Sequence, residues 1–350
     1  MSLKKNILVA PLNWGIGHAT RCIPIINKLI ENNYNVIIAS SGRSLELLIN
    51  EFPKNDFIKI TDYNVKYFSF IPLSFSILLQ IPKILLKIKK EKGELDKIID
   101  DFSIDGIISD SRFGLFSNKR KSIFITHQLE IQSNVFKNLI QKINYSYINK
   151  FSQCWILDNQ KNPLAGALSN PKKKTNNYRY IGPQSRFEKK TAKIKYDILA
   201  IVSGPEPQRT IFEKILIKEL TEIDKKSLLV QGKPEMNKKK IDGNLEIVSH
   251  LSSKELNNVI LESRLIICRS GYSTIMDLYK LEKNAILVPT PGQTEQEYLA
   301  KYLSKNDNYK AQKQNSFCIQ KALRQSKDFK QIKNYEARFN WNNLFKIFEK

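Results

Sequence analysis

The sequence lacks the features of several large classes of protein. Its 350 residues contain only 13 glycines and 13 prolines, which excludes collagen-like and other low-complexity chains. The four cysteines include no C-x-x-C pair, so their spacing indicates neither a zinc site nor a disulfide framework and suits a reducing cytoplasm. Acidic residues are also scarce, since 34 Asp and Glu oppose 57 Lys and Arg, a formal charge of +23.

The positive charge leaves two interpretations open. It favours anionic partners, which include nucleic acid, phosphorylated substrates and anionic membranes. Only 11 of the 57 basic residues are arginine, however, and the chain is rich in Ile and Asn, so the lysines equally suit a compositional origin. A protein that reads bases would use more arginine, whose fork matches guanine and phosphate. No specific nucleic-acid partner is therefore expected.

Long apolar runs are scarce as well. The uncharged stretch Tyr67–Pro82 has 16 positions and two prolines, whereas a membrane-spanning helix needs about 20 apolar residues. Lysines alternate with Ile and Leu over the next eight positions. Residues 67–90 therefore predict either a surface that binds an anionic membrane or an ordinary helix that exposes its lysines.

Short apolar runs alternate with helical patterns along most of the chain. The predicted strands include Asn6–Pro11, Asn35–Ser40 and Ile104–Ser109 in the first half, and the alternation resumes at Asp197–Val202 after a pause. Strand and helix in alternation predict parallel sheets. The expected fold class is therefore α/β, with two Rossmann-like, doubly wound domains that face a cleft.

The pause in the pattern sets the predicted domain boundaries. A first domain is expected over residues 1–160, and the stretch rich in Pro, Asn and Lys over 161–194 is expected to link it to the second. The second domain is expected over 195–325. A C-terminal helix over 326–350 is expected to pack back on the first domain.

The loop after the first predicted strand contains two glycines followed directly by a histidine. Gly15 and Gly17 allow backbone N–H groups to approach a ligand, and the following helix start favours an anion. His18 has two interpretations, a base that works near neutral pH or simply a residue at a helix start.

Three loops in the second half could bind a phosphorylated ligand. Ser203–Arg209 and Cys268–Asp277 each follow a strand and open a helix, so each offers free N–H groups to a diphosphate. Asp277 lies one turn into its helix, where it could accept a hydrogen bond from a ribose hydroxyl. Amides and acids over Gln293–Glu297 suit either sugar hydroxyls or the dipole of their own helix.

Together these motifs resemble the two-domain GT-B glycosyltransferases, in particular the family 28-like UDP-sugar enzymes related to MurG. Gly15-x-Gly17-His18, His127-Gln128 and above all the stretch 267–296 carry the resemblance. It implies that the second domain binds the UDP-sugar and that Gly15, Gly17 and His127 lie on the acceptor side. The donor-binding residues that the motifs and the resemblance imply are Gly204, Arg209, His250, Leu251, Arg269, Ser270, Gly271, Ser273, Thr274, Asp277, Gln293, Glu295 and Gln296.

The chemistry that the resemblance implies is direct displacement at the anomeric carbon, with inversion. We expect His18 to act as the base and Asp110, at the end of a predicted strand, to orient it. His127 is the competing candidate. Helix N-termini and cations can stabilise the leaving UDP without a metal ion. The chain has no D-x-D triplet, the motif by which the other large glycosyltransferase fold holds its metal. Neither a metal site nor a cofactor is expected.

The sequence thus predicts a transferase that moves a hexose or N-acetylhexosamine from a UDP-sugar to a hydroxyl acceptor. The uncharged and basic segments favour an acceptor that is lipid-linked or belongs to the cell envelope. The expected location is the cytoplasm, including the inner face of the membrane. Two alternatives remain, a UDP-sugar epimerase of the same shape and a basic protein that binds nucleic acid non-specifically.

Overall fold

The computed structural model describes residues 4–64, 79–132, 136–171, 175–233, 236–332 and 339–349. The chain divides into two compact units. The first comprises Met1–Ser185 together with Glu336–Lys350, and the second comprises Arg186–Tyr335. Each contains one seven-stranded sheet with helices, so the predicted α/β class is confirmed.

The first unit has a wholly parallel sheet in the order β3-β2-β1-β4-β5-β6-β7. The central strands are largely buried, and mostly apolar, because both faces of a parallel sheet are covered. The strands are β1 (Asn6–Pro11), β2 (Asn35–Ser40), β3 (Asp56–Lys59), β4 (Ile104–Asp110), β5 (Lys121–Thr126), β6 (Gln153–Ile156) and β7 (Tyr178–Tyr180). The helices are α1 (Ile16–Glu31), α2 (Gly42–Glu51), α3 (Ile81–Asp101) and α4 (Lys137–Ile148).

The second unit repeats this plan with the order β10-β11-β9-β8-β12-β13-β14. All neighbours are parallel except the hairpin of β10 and β11. The strands are β8 (Tyr196–Ile201), β9 (Ser227–Val230), β10 (Lys239–Asp242), β11 (Leu245–Val248), β12 (Ser263–Cys268), β13 (Ala285–Leu287) and β14 (Tyr309–Ala311). The helices are α5 (Gln208–Thr221), α6 (Ser253–Leu261), α7 (Tyr272–Lys280), α8 (Thr294–Leu303) and α9 (Ile319–Gln325).

Two segments differ from the predicted boundaries. Residues 161–185 are not a linker, because they belong to the first unit and contribute its edge strand β7. The chain end forms a short helix, α10 (Trp341–Phe345), and not one long helix over 326–350. Phe345 and Phe348 pack there against Tyr34 and Trp155, with ring centroids 5.7 to 6.4 Å apart.

A close approach in β4 explains how the chain end fits against this sheet. A side chain at Gly106 would place its Cβ 2.3 Å from the ring of Phe348. Only glycine therefore lets the C-terminal aromatic ring reach the strand. The first half of the sheet and the last residues of the chain consequently share one core.

The segment over residues 67–90 is described only from residue 79 onward, and residues 67–78 lie outside the described ranges. Residues 81–90 open α3, whose Ile88 packs with Leu12 and Tyr63 in the core. Leu79 and Leu86 are 67% and 70% exposed. Across the described parts of the chain, no helix combines the length and the apolar character that crossing a membrane requires.

Candidate active site

The first candidate site lies where the strand order of the first sheet reverses. The chain moves from β1 outward through β2 and β3 and then returns to the other side of β1 as β4. The loops that leave the carboxyl ends of β1 and β4 therefore diverge, which leaves a crevice where open α/β sheets bind ligands. Gly15, the N-cap of α1, lies there at φ +97°, a conformation that favours glycine.

Four ionisable side chains meet at this point. His18 lies in the first turn of α1, and Asp110 ends the neighbouring strand β4. The Nδ1 atom of His18 is 2.8 Å from Oδ1 of Asp110. Arg21, one turn after His18, donates to both oxygens of Asp110. Its Nε lies 2.5 Å from Oδ2, and its Nη2 donates to Oδ1. Its Nη1 atom lies 2.9 Å from Nδ1 of His127, which follows β5. We call these four residues the histidine–arginine cluster.

Burial makes the charges of this cluster interdependent. Asp110 is fully buried, Arg21 is 3% exposed and His127 is 8% exposed. Burial alone would raise the pKa of Asp110, but Arg21 and then His18 outweigh it and hold that pKa below its usual range. Asp110 therefore stays ionised and acts only as a hydrogen-bond acceptor at neutral pH.

The donor and acceptor roles of the two histidines follow from this arrangement. Nδ1 of His18 has two neighbours, Oδ1 of Asp110 at 2.8 Å and Nη2 of Arg21 at 2.9 Å. With its proton on Nδ1, His18 donates to the ionised Asp110 and its basic nitrogen is Nε2, which is the form that a base requires. A guanidinium only donates, so Nδ1 of His127 accepts from Arg21 and the proton of His127 lies on Nε2. The cluster thus presents one basic nitrogen, on His18, and one N–H donor, on His127.

The pKa of His18 suits a base at neutral pH. Burial and then the charge of Arg21 lower it below the ordinary 6.5, while Asp110 acts in the opposite direction. His18 is therefore neutral at pH 7, with the lone pair of Nε2 available for a proton. This arrangement is capable of general-base chemistry.

A small cavity of about 150 Å³ lies beside the β1 loop. Its walls combine an aromatic ring, a carboxylate and amides, groups that suit a ligand with several hydroxyls. Trp14 is 36% exposed, and Asn13 donates from Nδ2 to Oδ2 of Asp62 at 2.8 Å. The lining residues are Leu12, Asn13, Trp14, Asp62, Tyr63 and Asn64.

The second candidate site lies at the equivalent reversal in the second sheet, between β8 and β12. Helix α7 follows its N-cap, Gly271, here, and the first intrahelical bond runs from the N–H of Ile275 to the carbonyl of Gly271. The N–H groups of residues 272–274 lie in the first turn, ahead of that bond, and point toward the start of the helix. Since no acidic side chain occupies this first turn, the positive end of the helix dipole suits an anion.

The loop after β13 brings a buried hydroxyl to the same edge. Thr290 is 2% exposed, yet its Oγ1 has no hydrogen-bond partner within the described residues. A Cβ on Gly204, in the loop after β8, would lie 3.5 Å from that oxygen. Gly204 itself adopts φ +106°, a conformation that favours glycine. Oγ1 of Thr290 therefore has an unused hydrogen bond that a ligand or an ordered water could satisfy.

The guanidinium of Arg269, a predicted donor-binding residue, is buried and contacts protein groups. It is 1% exposed, and its guanidinium donates to the carbonyls of Val288, Pro289 and Gln208 and to the side chain of Gln314. Its charge lies 4.2 Å from the ring centre of Phe212, and burial lowers its pKa to about 10. Arg269 therefore holds the loops of this edge together through Nη1 and Nη2, while its Nε has no hydrogen-bond partner among the described residues.

Several other predicted donor residues are also held by protein groups. Arg209 pairs with Glu206 and lies 3.8 Å from Glu213. Ser270 is buried and donates to the carbonyl of Gln296 at 2.8 Å. The side chain of Gln296 accepts from the N–H of Thr290 at 2.9 Å and donates to Gln293. These side chains shape the loops, and only their backbone or remaining atoms can face a ligand.

The remaining predicted residues lie at accessible positions. Ser273, Thr274 and Asp277 are half-buried along α7, and Glu295 is half-buried at the start of α8. His250 is exposed and Leu251 is half-buried in the loop after β11. Strand β11 lies three strand positions from β12, a separation of about 14 Å. Gly17 lies within the first turn of α1 and is half-buried.

No three His, Cys, Asp or Glu side chains in the described ranges come together as a group that could hold a metal ion.

The sequence of the second unit matches a known domain family. Residues 200–340 match the glycosyltransferase family 28 C-terminal domain. The chain therefore contains a glycosyltransferase family 28 C-terminal domain and is a glycosyltransferase. The matched range contains β12, α7, β13 and α8, the elements that form the second candidate site. No curated protein matches the transferase significantly over its sequence.

Solved structures establish the GT-B fold of the transferase. It is similar to a kitacinnamycin glycosyltransferase at 11% identity, with 93% of this chain and 91% of that chain covered and a TM-score of 0.64. It is similar to MurG from Acinetobacter baumannii at 13% identity, with 99% and 94% covered and a TM-score of 0.55. A spinosyn rhamnosyltransferase solved with thymidine diphosphate is 11% identical, with 93% and 95% covered and a TM-score of 0.58.

Two residues of these sites were missed by sequence reasoning. Arg21 follows His18 by three positions, the spacing that puts two side chains on one helix face, and this was the available signal. Thr290 gave no comparable signal, because its burial next to Gly204 depends on how the loops after β8 and β13 meet.

Proposed function

We propose that this transferase moves a hexose or N-acetylhexosamine from a UDP-sugar to a hydroxyl of a lipid-linked or cell-envelope acceptor. The single observation that carries the proposal is the histidine–arginine cluster. It supplies a neutral His18 fixed by a buried carboxylate, in a chain whose second unit has a glycosyltransferase domain. The reaction needs no metal ion, and inversion follows from the family likeness.

Each proposed step uses a group of this chain. Nε2 of His18 takes the proton of the acceptor hydroxyl, whose oxygen forms a bond to the anomeric carbon as the bond from that carbon to the UDP oxygen breaks. Asp110 stabilises the imidazolium that forms, through Nδ1. The leaving diphosphate accepts hydrogen bonds from the N–H groups at the start of α7, and Asp277 binds the ribose.

The acceptor would be bound by the first unit. Trp14, Asp62 and the other walls of the small cavity suit a hydroxyl-bearing group beside the loop that leads from β1 to His18. The exposed Leu79 and Leu86, with the lysines of α3 between and beyond them, favour an acceptor at an anionic membrane surface. The transferase would then work in the cytoplasm at the inner face of the membrane.

A thermal-shift panel of UDP-, GDP- and TDP-sugars tests the donor. A ligand that binds only the folded protein raises its melting temperature, by about 5 °C or more at a hundredfold excess over Kd. We expect UDP-sugars to produce this shift and GDP-sugars not to. A shift with TDP-sugars alone would mean that the donor is a TDP-sugar and not a UDP-sugar. The absence of a shift with every sugar nucleotide would contradict the proposal.

Asp277→Ala tests the ribose contact. Loss of a hydrogen bond to a charged acceptor should weaken UDP binding about tenfold or more. Calorimetry of UDP binding measures this, with Asp328→Ala as the control because Asp328 is an exposed acid of the same unit. Equal UDP affinity in both variants would remove Asp277 from the donor site.

A further inference from the structure

We propose that the first unit has a second anion site, which binds a phosphate group in a cavity lined by Lys5, Lys119, Arg120 and Lys121. The cavity measures about 260 Å³ and is also lined by Asp105, Ser117, Asn118, Ser152 and Phe348. This site is independent of the proposed transfer reaction.

The cavity lies at the opposite edge of the sheet from the histidine–arginine cluster. Lys5 precedes β1, Lys121 begins β5 and Ser152 precedes β6, so the cavity occupies the amino ends of these parallel strands. Asp105 and Asp110 lie five residues apart on β4, a separation of about 17 Å along the strand. A ligand in this cavity therefore does not touch His18.

Cations outnumber acids around the cavity. Four cationic side chains and one acid, Asp105, line it, and none of the five has an ion-pair partner within 4.0 Å among the described residues. Lys5 donates from Nζ to the carbonyl of Phe348 at 2.6 Å, which leaves its charge uncompensated. Elsewhere on the surface lysines do find acids, as Lys92 does with Asp96 at 2.9 Å. The excess positive charge is thus concentrated around a concavity, where it attracts an anion.

The loop that carries three of these cations is held by its own hydrogen bonds. The hydroxyl of Ser117 accepts from the N–H groups of Lys119 and Arg120, at 3.1 and 3.2 Å. Ser117 in turn donates its N–H to the hydroxyl of Ser122. Because the turn is fixed, less freedom is lost when its cations close on a ligand.

Size and chemistry point to a phosphate or diphosphate group. The volume lies below the roughly 300–1,000 Å³ of sites for drug-sized ligands, which suits a headgroup or a small anion. Arginine and lysine donors with neighbouring hydroxyls are the groups that bind phosphate oxygens. The ligand is either a free phosphate compound or the phosphate of an anionic lipid.

The test compares two variants that lose the same charges. Lys119→Gln/Arg120→Gln/Lys121→Gln removes the site, and Lys214→Gln/Lys254→Gln/Arg324→Gln removes two lysines and one arginine from exposed positions of the second unit. Pyrophosphate binding is measured by calorimetry with saturating UDP present. Vesicle binding is measured by sedimentation, with phosphatidylglycerol mixed into phosphatidylcholine and with phosphatidylcholine alone.

We expect the site variant to bind pyrophosphate at least about tenfold more weakly than the control variant, which should behave like the original protein. Loss of binding to the anionic vesicles in the site variant alone would identify a lipid phosphate as the ligand. Unchanged vesicle binding with weakened pyrophosphate binding would identify a free phosphate compound. The proposal would be overturned if the two variants bound pyrophosphate and vesicles equally well, whether both bound like the original protein or both bound more weakly.

Discussion

Replacing His18 with alanine should reduce kcat by about 10²- to 10⁴-fold and leave the affinity for UDP within about twofold. We expect this loss because no other nitrogen of the cluster can take the proton. Nδ1 of His127 already accepts a hydrogen bond from Arg21. UDP affinity is preserved because the donor is expected to bind to α7 in the other unit. Release of UDP from the sugar nucleotide that stabilises the protein measures turnover.

His127→Ala provides the matched comparison for this experiment. His127 donates in our assignment, so its removal should affect KM more than kcat. A larger loss of kcat in His127→Ala than in His18→Ala would exchange the two roles. An equal loss of turnover and UDP affinity in His18→Ala would move the base elsewhere.

The dependence of turnover on pH follows from the same assignment. Protonated His18 cannot accept a proton, so kcat/KM should fall tenfold for each pH unit below the pKa of His18. Burial and Arg21 hold that pKa below 6.5, with His127 adding in the same direction and Asp110 opposing them. The acid limb should therefore lie below pH 6.5, and the His18→Ala variant should lose it.

Much of the fold could be predicted because its strands are buried on both faces. Runs such as Asn35–Ser40 have no polar alternation to confuse their assignment, and the structure reproduces that strand residue for residue. Strands β7 and β14 escaped prediction because three residues at a sheet edge carry too little apolar pattern. Their pairing is decided by the neighbouring strand.

The sites were predictable in position but not in detail. Residues at the carboxyl ends of adjacent parallel strands come together, which is why His18 and Asp110 could be paired from sequence and lie 2.8 Å apart. The spacing of residues in the sequence cannot show which cationic side chains donate their hydrogen bonds to buried carbonyls. Arg269 therefore looked like a phosphate ligand while it braces the loops, and Arg21 looked like an ordinary helix residue while it organises the cluster.

The second large effect concerns stability, and it tests whether Arg21 is what keeps Asp110 charged. Arg21→Leu should lower the free energy of unfolding of the first unit by about 3–5 kcal/mol at pH 7, because it leaves a fully buried carboxylate without its main partner. All three tryptophans, at positions 14, 155 and 341, belong to this unit. Urea unfolding followed by tryptophan fluorescence therefore reports on the first unit alone.

The pH dependence of that loss identifies its cause. In the original protein the pKa of Asp110 is depressed, so its stabilising contribution is present above the unfolded pKa of about 3.8 and disappears as the pH falls below it. In Arg21→Leu, burial without the arginine should raise the pKa of Asp110. Protonation at lower pH then removes the cost of a buried, unpaired charge, and the difference in unfolding free energy between the two proteins should become smaller. Adding Asp110→Asn should recover more than half of the loss at pH 7. Arg43→Leu, at an exposed position of α2, should cost at most about 0.5 kcal/mol. A loss in Arg21→Leu no larger than that, or one independent of pH, would show that Asp110 does not depend on Arg21 for its charge.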